Sequence, residues 1–221
     1  MKYIKPPLEL MRRIAEGNSD NQDIALDVYC SDSLLFREFF WFRLWMLTHM
    51  IRRRSEGATT CLDFGGGSGV FMPSLATGFP DVRLIDLNTS QAEELRDALG
   101  TENVTIVNAD ITDYDFGEGT FDAIVAADVL EHFEDLDFPI ARLKRWLADD
   151  GTLYTSLPTE NLFYRLLRIP FRKQKPEDHY HTAREVEDYL RTSGFRKVAG
   201  WYHPLFVPLF PLFRISAWRK L

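Results

Sequence analysis

The stretch CLDFGGGSGVF, residues 61–71, constrains the fold most, because glycine recurs at every second position after a short apolar run. The pattern runs through Asp63, Gly65, Gly67 and Gly69. Glycine has no Cβ, so the backbone can turn sharply from a strand into a helix and pass close to a ligand. The dinucleotide fingerprint needs its third glycine three residues after the second, where this chain has Val70. The spacing therefore argues against a nicotinamide dinucleotide.

A second carboxylate follows the glycines at the end of the next apolar segment. Residues 82–88, VRLIDLN, indicate a strand that ends in Asp86. A carboxylate at that strand end can accept hydrogen bonds from both hydroxyls of a ribose. The D-x-G-x-G-x-G spacing resembles motif I of class I S-adenosylmethionine-dependent methyltransferases, and residues 82–88 fall where that family has its second strand.

Three later segments follow in the order that this family shows, and the resemblance covers about residues 58–200. The segment NVTIVNAD ends in Asp110, which resembles the family's acidic residue facing the adenine amino group. Residues 121–133, FDAIVAADVLEHF, resemble motif IV and its loop, and residues 143–158 resemble a helix, a tight turn and the fifth strand. The resemblance implies S-adenosylmethionine as cofactor, with a binding set of Asp63, Gly65, Gly67, Gly69, Asp86, Leu87, Asp110, Ile111 and Asp128.

Strand and helix patterns alternate from residue 59 onward, which predicts a mostly parallel sheet covered by helices on both faces. The predicted strands are 59–64, 82–87, 103–108, 121–127, 152–157, 195–203 and 213–221. The predicted helices between them are 69–78, 90–99, 137–148 and 181–195. The resemblance implies that the final pair forms a hairpin. The expected fold is α/β, a Rossmann-like class I methyltransferase sheet of seven strands, the last one antiparallel, with an N-terminal helical extension.

Composition excludes several other kinds of protein. The net charge is −7 and the pI about 5.3, so the chain has no global positive charge for nucleic acid. Cys30 and Cys61 are the two cysteines, and no secretory leader precedes them, which favours a reducing compartment and hence the cytoplasm. No metal-ligand spacing of cysteine and histidine occurs, and we expect no metal. Nothing here indicates the oligomeric state.

Three segments outside the bare sheet combine bulky apolar side chains with basic clusters: 33–54, 160–181 and 203–213. We expect residues 1–58 to form a helical extension or lid, and residues 59–221 to form the donor-binding domain with insertions at about 160–181 and 203–213. In the family fold these segments gather over the carboxyl ends of the strands, where the substrate enters. We predict an acceptor pocket walled by Phe39, Trp41, Phe42, Trp45 and residues 205–213.

The aromatic segment 33–54 is nearly long enough to span a membrane, but charged side chains such as Arg37 and Arg43 interrupt it. A charge at the centre of a membrane helix costs about 2.5–3.5 kcal/mol, which argues against spanning. Two interpretations stay open. Either the three segments form a lid that shields the methyl donor from water, or they receive a greasy substrate or rest on the inner face of a membrane with arginines toward anionic headgroups.

Histidines are the candidates for acid–base chemistry. Methyl transfer from a sulfonium is an in-line displacement that depends on positioning. A hydroxyl nucleophile needs a base, whereas an amine needs only to arrive unprotonated. The candidates for the base or for substrate orientation are His132, His179 and His181. Because the sulfonium already carries the positive charge, the reaction requires no metal.

The expected acceptor is a hydroxyl or amine of a hydrophobic, lipid-linked or small-molecule compound, as in the quinone and lipid branch that the chain resembles. Nucleobase methyltransferases carry N/D-P-P-Y/F after the fourth strand, where this chain reads AADV. Alternatives are a methyltransferase of a soluble metabolite or sugar, a non-catalytic S-adenosylmethionine-binding scaffold or sensor, an aminopropyl transferase using Asp128, and a cyclopropane-forming lipid enzyme, in which Glu131 would help to bind bicarbonate.

Overall fold

The computed structural model describes residues 1–17, 24–159, 180–204 and 211–221 of the 221-residue chain. Its centre is a seven-stranded sheet in the order β3-β2-β1-β4-β5-β7-β6. The strands are β1 (Thr60–Phe64), β2 (Asp81–Asp86), β3 (Val104–Asn108), β4 (Phe121–Ala127), β5 (Leu147–Pro158), β6 (Phe195–His203) and β7 (Phe213–Lys220). Strands β1 to β5 pair in parallel, and β7 runs antiparallel to both β5 and β6. The predicted fold class is confirmed.

Seven α-helices lie in the described parts of the chain: α1 (Leu8–Gly17), α2 (Ile24–Cys30), α3 (Leu34–Arg54), α4 (Met72–Ala76), α5 (Ser90–Leu99), α6 (Asp137–Trp146) and α7 (Ala183–Thr192). Several predicted boundaries differ from the observed ones, most importantly the starts of α4 and β5. The helix after the glycines begins at Met72 rather than at 69, because Gly69 has φ +73° and cannot lie inside a right-handed helix. Strand β5 begins at Leu147, five residues before the predicted start, so α6 ends at Trp146.

Alternating side chains of the sheet build two cores, one on each face. On one face, α3, α4 and α5 contribute Leu47, Leu75 and Leu95 to a cluster with Cys61 of β1. On the other face, α6 and α7 pack their apolar sides over β4 and β5. The helices therefore cover both faces, as the alternation of strand and helix patterns predicts.

Helix α3 belongs to the first of these cores. Met46, Leu47 and Ile51 are fully buried, and the Ser55 hydroxyl that follows the helix lies 2.7 Å from the hydroxyl of Tyr154 in β5. The chain then enters β1 at Thr60, so α3 runs opposite in direction to the parallel strands. At 1.5 Å per residue, the first turns of α3 lie toward the carboxyl edge of the sheet. The boundary predicted between residues 58 and 59 stays a prediction.

The membrane-span question is answered for the helices in the described ranges. None of them, including the 21-residue α3, is both long and apolar enough to cross a bilayer.

Candidate active site

The loop after β1 requires glycine for steric reasons. Gly65, Gly67 and Gly69 all have positive φ, at +67°, +50° and +73°. A Cβ on Gly65 would lie 2.3 Å from Cγ2 of Val129, and one on Gly69 would lie 2.9 Å from Cβ of Ala92 in α5. The loop therefore lies between the segment after β4 and helix α5, too close to both for a side chain at Gly65 or Gly69.

Asp86 lies at the end of β2 and is held by the backbone of this loop. Its Oδ2 accepts a hydrogen bond from the amide of Gly67 at 2.8 Å, and its Oδ1 accepts one from the amide of Asn88 at 3.1 Å. Each carboxylate oxygen keeps a second lone pair for a further donor. The structure thus places the predicted ribose-binding carboxylate beside the glycines and fixes its orientation.

Asp63 is buried at the end of β1, and its Oδ2 has no hydrogen-bond partner within the described ranges. Burial, and then the nearby charge of Asp86, raise the pKa of Asp63 to about 7. A buried carboxyl without a partner is costly unless a ligand supplies a donor or a positive charge. A cationic ligand bound at the glycine loop would stabilise the ionised form of the Asp63 carboxyl.

The other predicted donor contacts lie next to this loop at the ends of adjacent strands. Asp110 follows β3 and is exposed. Its Oδ1 accepts a hydrogen bond from the backbone amide of Thr112 at 2.8 Å, and hydrogen bonds from the backbone and side chain of Thr112 lower the pKa of Asp110. Ile111 is buried, whereas Leu87 is 70% exposed. The strands β1, β2 and β3 are neighbours in the sheet and run in parallel, so the polar and apolar residues that follow them lie at the same edge of the sheet.

Asp128 follows β4 and has a different partner from the one that the sequence suggests. Its φ is +55°, the one positive value among non-glycine residues that the structure describes. Its carboxylate, which is 31% exposed, forms an ion pair with the buried guanidinium of Arg43 from α3. Arg43 also donates to the Tyr29 hydroxyl at 2.6 Å and to the Ser156 hydroxyl at 3.2 Å. A direct contact of Asp128 with the methyl donor stays a prediction.

Two of the three histidine candidates come together. His132 ends a 3₁₀ turn, Leu130–His132, just after Asp128. The backbone amides of Tyr180 and His181 both donate to the carbonyl of Glu131, at 2.8 and 3.4 Å, and the His181 Nε2 lies 3.2 Å from the carbonyl oxygen of Glu134. His179 lies outside the described residues. Which histidine acts as a base stays a prediction.

The aromatic wall that the sequence predicts divides into two parts. Phe39 packs edge-on against His203, with ring centroids 4.2 Å apart, and also contacts Phe213. Trp41 is only 2% exposed and packs on Tyr29 of α2, and its place in the wall of an acceptor pocket stays a prediction. Residues 205–210 of the predicted wall lie outside the described ranges.

A separate shallow groove of about 200 Å³ lies along the outside of α3. It is lined by Tyr3, Lys5, Glu38, Trp41, Phe42 and Trp45. The rings of Phe42 and Trp45, which both line this groove, stack with their centroids 5.2 Å apart.

Sequence reasoning missed Arg43, Tyr29 and His203 as site residues. The available signal for Arg43 was a charge in the middle of an apolar helix, which requires a buried partner if the helix packs in the core. His203 is buried among Phe39, Phe42 and Phe213. Burial and the charge of Arg43 lower its pKa to about 3, so this histidine is neutral at physiological pH.

The chain resembles known proteins in sequence. Residues 47–199 match the methyltransferase domain family, which is well over half of the chain. The chain is 31% identical over 160 residues to a malonyl-[acyl-carrier protein] O-methyltransferase of Geobacter sulfurreducens, covering 65% of this chain and 60% of that enzyme. It is 28% identical over 108 residues to a probable (S)-tetrahydroprotoberberine N-methyltransferase 2 of Papaver bracteatum, covering 47% of this chain and 30% of the relative.

The fold also matches solved structures. The 1,6-didemethyltoxoflavin-N1-methyltransferase of Burkholderia thailandensis, solved with 1,6-didemethyltoxoflavin and S-adenosylhomocysteine, superposes with a TM-score of 0.64 at 20% identity. The match covers 100% of this chain and 92% of that one.

The chain belongs to the methyltransferase domain family. This confirms the class predicted from the glycine spacing, that of class I S-adenosylmethionine-dependent methyltransferases, and with it the predicted cofactor. The relatives named here are methyltransferases of small molecules or of a carrier-bound acyl group. The chain spans 60% and 30% of the lengths of the two curated relatives.

Proposed function

We propose that this protein transfers a methyl group from S-adenosylmethionine to a hydroxyl or amine of a small hydrophobic acceptor. The observation that carries the proposal is the buried Asp63 carboxyl, whose Oδ2 has no partner in the described structure, directly behind a glycine loop that Asp86 anchors. S-adenosylmethionine, when bound, supplies a methyl group on a sulfonium. Its amino acid part also carries an ammonium group, the kind of cation that a carboxylate in this position stabilises.

The residues of the donor side divide into three roles. Gly65, Gly67 and Gly69 let the loop keep the conformation that receives the ligand, because a side chain there would be strained at positive φ and, at Gly65 and Gly69, would clash with the protein itself. The carboxylate of Asp86 uses its remaining lone pairs to accept hydrogen bonds from the ribose hydroxyls. Asp110, Ile111 and the exposed side chain of Leu87 bind the adenine, the first by its carboxylate and the other two by apolar contact.

The acceptor side lies beyond Asp128, between the 3₁₀ turn Leu130–His132 and the aromatic contacts of Phe39. His132 and His181 remain the candidates for the base. His203 is a poor base, because a group with a pKa of about 3 binds a proton too weakly at neutral pH. We assign His203 the role of an apolar wall, which favours an acceptor with a flat or apolar body.

The finer identity of the acceptor is also part of this proposal. Leu34 and Leu35, at the start of α3, are 59% and 86% exposed. They lie on the part of α3 that points toward the carboxyl edge, and such apolar side chains favour contact with a lipid-linked acceptor or with the membrane surface that presents it. The two free cysteines favour a reducing compartment, and we place the protein in the cytoplasm, at the inner face of the membrane when it takes a lipid-linked acceptor.

Two measurements test the proposal. Titration calorimetry with S-adenosylhomocysteine should show binding of the wild-type protein. Incubation with isotopically labelled S-adenosylmethionine, a lipid extract and a set of soluble phenols and amines, followed by mass analysis, should reveal a labelled apolar product. Binding without any transfer would favour a scaffold or sensor, whereas transfer only to polar soluble metabolites would contradict the hydrophobic acceptor.

A further inference from the structure

One arginine joins the N-terminal helices to the edge of the sheet where the donor is expected to bind. Arg43 lies in the middle of α3 with its side chain 3% exposed. Its guanidinium contacts Asp128 after β4, the hydroxyl of Tyr29 in α2 and the hydroxyl of Ser156 in β5. The same group lies over the ring of Phe213, 4.8 Å from the centroid. The guanidinium of Arg43 therefore contacts four other segments of the chain.

The partner of Arg43 has a conformation that needs support. Asp128 has φ +55°, a region that aspartate enters more readily than most residues but that still requires a fixed environment. Its amide donates to the carbonyl of Ser156 at 2.9 Å, and its carboxylate is held by Arg43. Both the backbone and the side chain of this residue are thus tied to groups outside its own loop.

The next residue transmits this conformation to the glycine loop. Val129 lies so close to Gly65 that an added Cβ would be 2.3 Å from its Cγ2. The half-buried side chain of Val129 therefore occupies the space beside Gly65 that the side chain of a larger residue would need. The position of Val129 is set by the backbone turn at Asp128, so a change at Asp128 displaces the wall behind Gly65.

The same segment also orients the acceptor side. The 3₁₀ turn Leu130–His132 follows at once, and the carbonyl of Glu131 receives the amides of Tyr180 and His181. Of the histidine candidates in the described ranges, His132 therefore lies in the segment that begins at Asp128, and His181 is hydrogen-bonded to that segment through its backbone amide.

We propose that Arg43 is a positioning residue for the methyl-transfer site: its ion pair with Asp128 holds Val129 against Gly65 and thereby keeps the donor loop in its binding conformation. Arg43 acts through Asp128 and lies outside residues 47–199, the stretch that matches the methyltransferase domain family. The inference rests on the placement of the donor at the glycine loop that is proposed above.

The test compares S-adenosylhomocysteine binding by the wild type, Arg43→Gln and Arg52→Gln, using calorimetry on protein whose fold is checked by circular dichroism. Arg52→Gln is the matched control, because this substitution removes the same charge from an exposed position of the same helix. We expect Arg43→Gln to bind about 10- to 100-fold more weakly, the range typical when a residue that orients a binding group is replaced. Arg52→Gln should bind as the wild type does.

Hydrogen exchange shows whether the effect follows the proposed path. In Arg43→Gln, amides of residues 128–133 and 63–70 should exchange faster, while those of β2 and β3 keep their wild-type protection. Arg43→Lys, which keeps the charge but not the hydrogen bonds to both hydroxyls, should restore part of the affinity. The double variant with Asp128→Asn should bind no more weakly than the weaker single variant.

Three results would overturn the proposal: unchanged affinity and exchange in folded Arg43→Gln, faster exchange spread over the whole sheet, or additive losses in the double variant. If Arg43→Gln does not fold, Asp128→Asn carries the same test, because it removes the charge of the other partner in the ion pair. Unchanged exchange of residues 63–70 in that variant contradicts the proposal. A wild-type protein that does not bind S-adenosylhomocysteine would instead overturn the donor placement.

Discussion

The backbone amide of Gly67 donates a hydrogen bond to Oδ2 of Asp86 over 2.8 Å, which ties the loop after β1 to the end of β2. The contact fixes the orientation of the Asp86 carboxylate across the glycine loop. Preorganised acceptors lose less entropy on binding, so this pair is where we expect the largest single contribution to recognition of the ribose.

Asp86→Ala tests that contribution directly. We expect the variant to bind S-adenosylhomocysteine more weakly by about 1.5–3 kcal/mol, the usual loss when hydrogen bonds to a charged group are removed. Asp81→Ala is the matched control, since Asp81 begins the same strand and pairs with Arg83 away from the loop. Calorimetry that finds equal affinities for both variants would contradict the ribose assignment.

Gly65→Ala separates backbone strain from steric conflict. Alanine at φ +67° costs about 1–2 kcal/mol in itself, and here its Cβ would also lie 2.3 Å from Val129. Gly100→Ala has a similar φ of +63° but nothing within 4 Å. We therefore expect urea denaturation to show a clearly larger loss of stability for Gly65→Ala, together with loss of S-adenosylhomocysteine binding. Equal losses in stability would mean that Val129 moves away at little cost.

The raised pKa of Asp63 makes stability depend on pH. Its folded value of about 7 exceeds the ordinary 3.8, so between these values the folded protein binds more protons than the unfolded chain. The free energy of unfolding should therefore fall as the pH rises from 4 to 7, with a slope from this group of at most about 1.4 kcal/mol per pH unit. Denaturation at several pH values should show that slope in the wild type but not in Asp63→Asn.

Donor binding should have the opposite dependence on pH, because an ammonium group favours ionised Asp63. The affinity of the wild type for S-adenosylhomocysteine should rise between pH 6 and 8, while that of Asp63→Asn should stay level over this range. Parallel profiles for the two proteins would show that Asp63 does not face the ligand.

The exposed leucines at the start of α3 provide a test for lipid contact. Burying one such side chain is worth about 1.5–3 kcal/mol, so Leu34→Gln with Leu35→Gln should strongly reduce co-sedimentation with anionic vesicles. Leu221→Gln is the control, because Leu221 is 81% exposed at the other end of the chain. Absence of vesicle binding by the wild type, with methylation of a soluble acceptor, would contradict the membrane interpretation.

The sequence by itself was sufficient to predict the features that depend on local conformation. The glycine spacing encodes positive φ values and missing side chains, which are local properties, and Asp86 ends a strand whose apolar pattern is also local. The seven-stranded sheet with its antiparallel last strand followed from the resemblance that these segments carry. The first residue of α4 was misplaced because Gly69 can be read either as the start of a helix or as a left-handed turn, and only its packing against Ala92 decides between them.

The tertiary structure alone decided what the buried charges do. Arg43 and Asp128 are 85 residues apart in the chain, so no periodicity relates them, and in the sequence Arg43 is simply a charge that interrupts an apolar helix. The raised pKa of Asp63 and the lowered pKa of His203 depend on how much of the fold surrounds each group. Desolvation and ion pairing act through space, and both therefore become visible only when the distant segments are brought together.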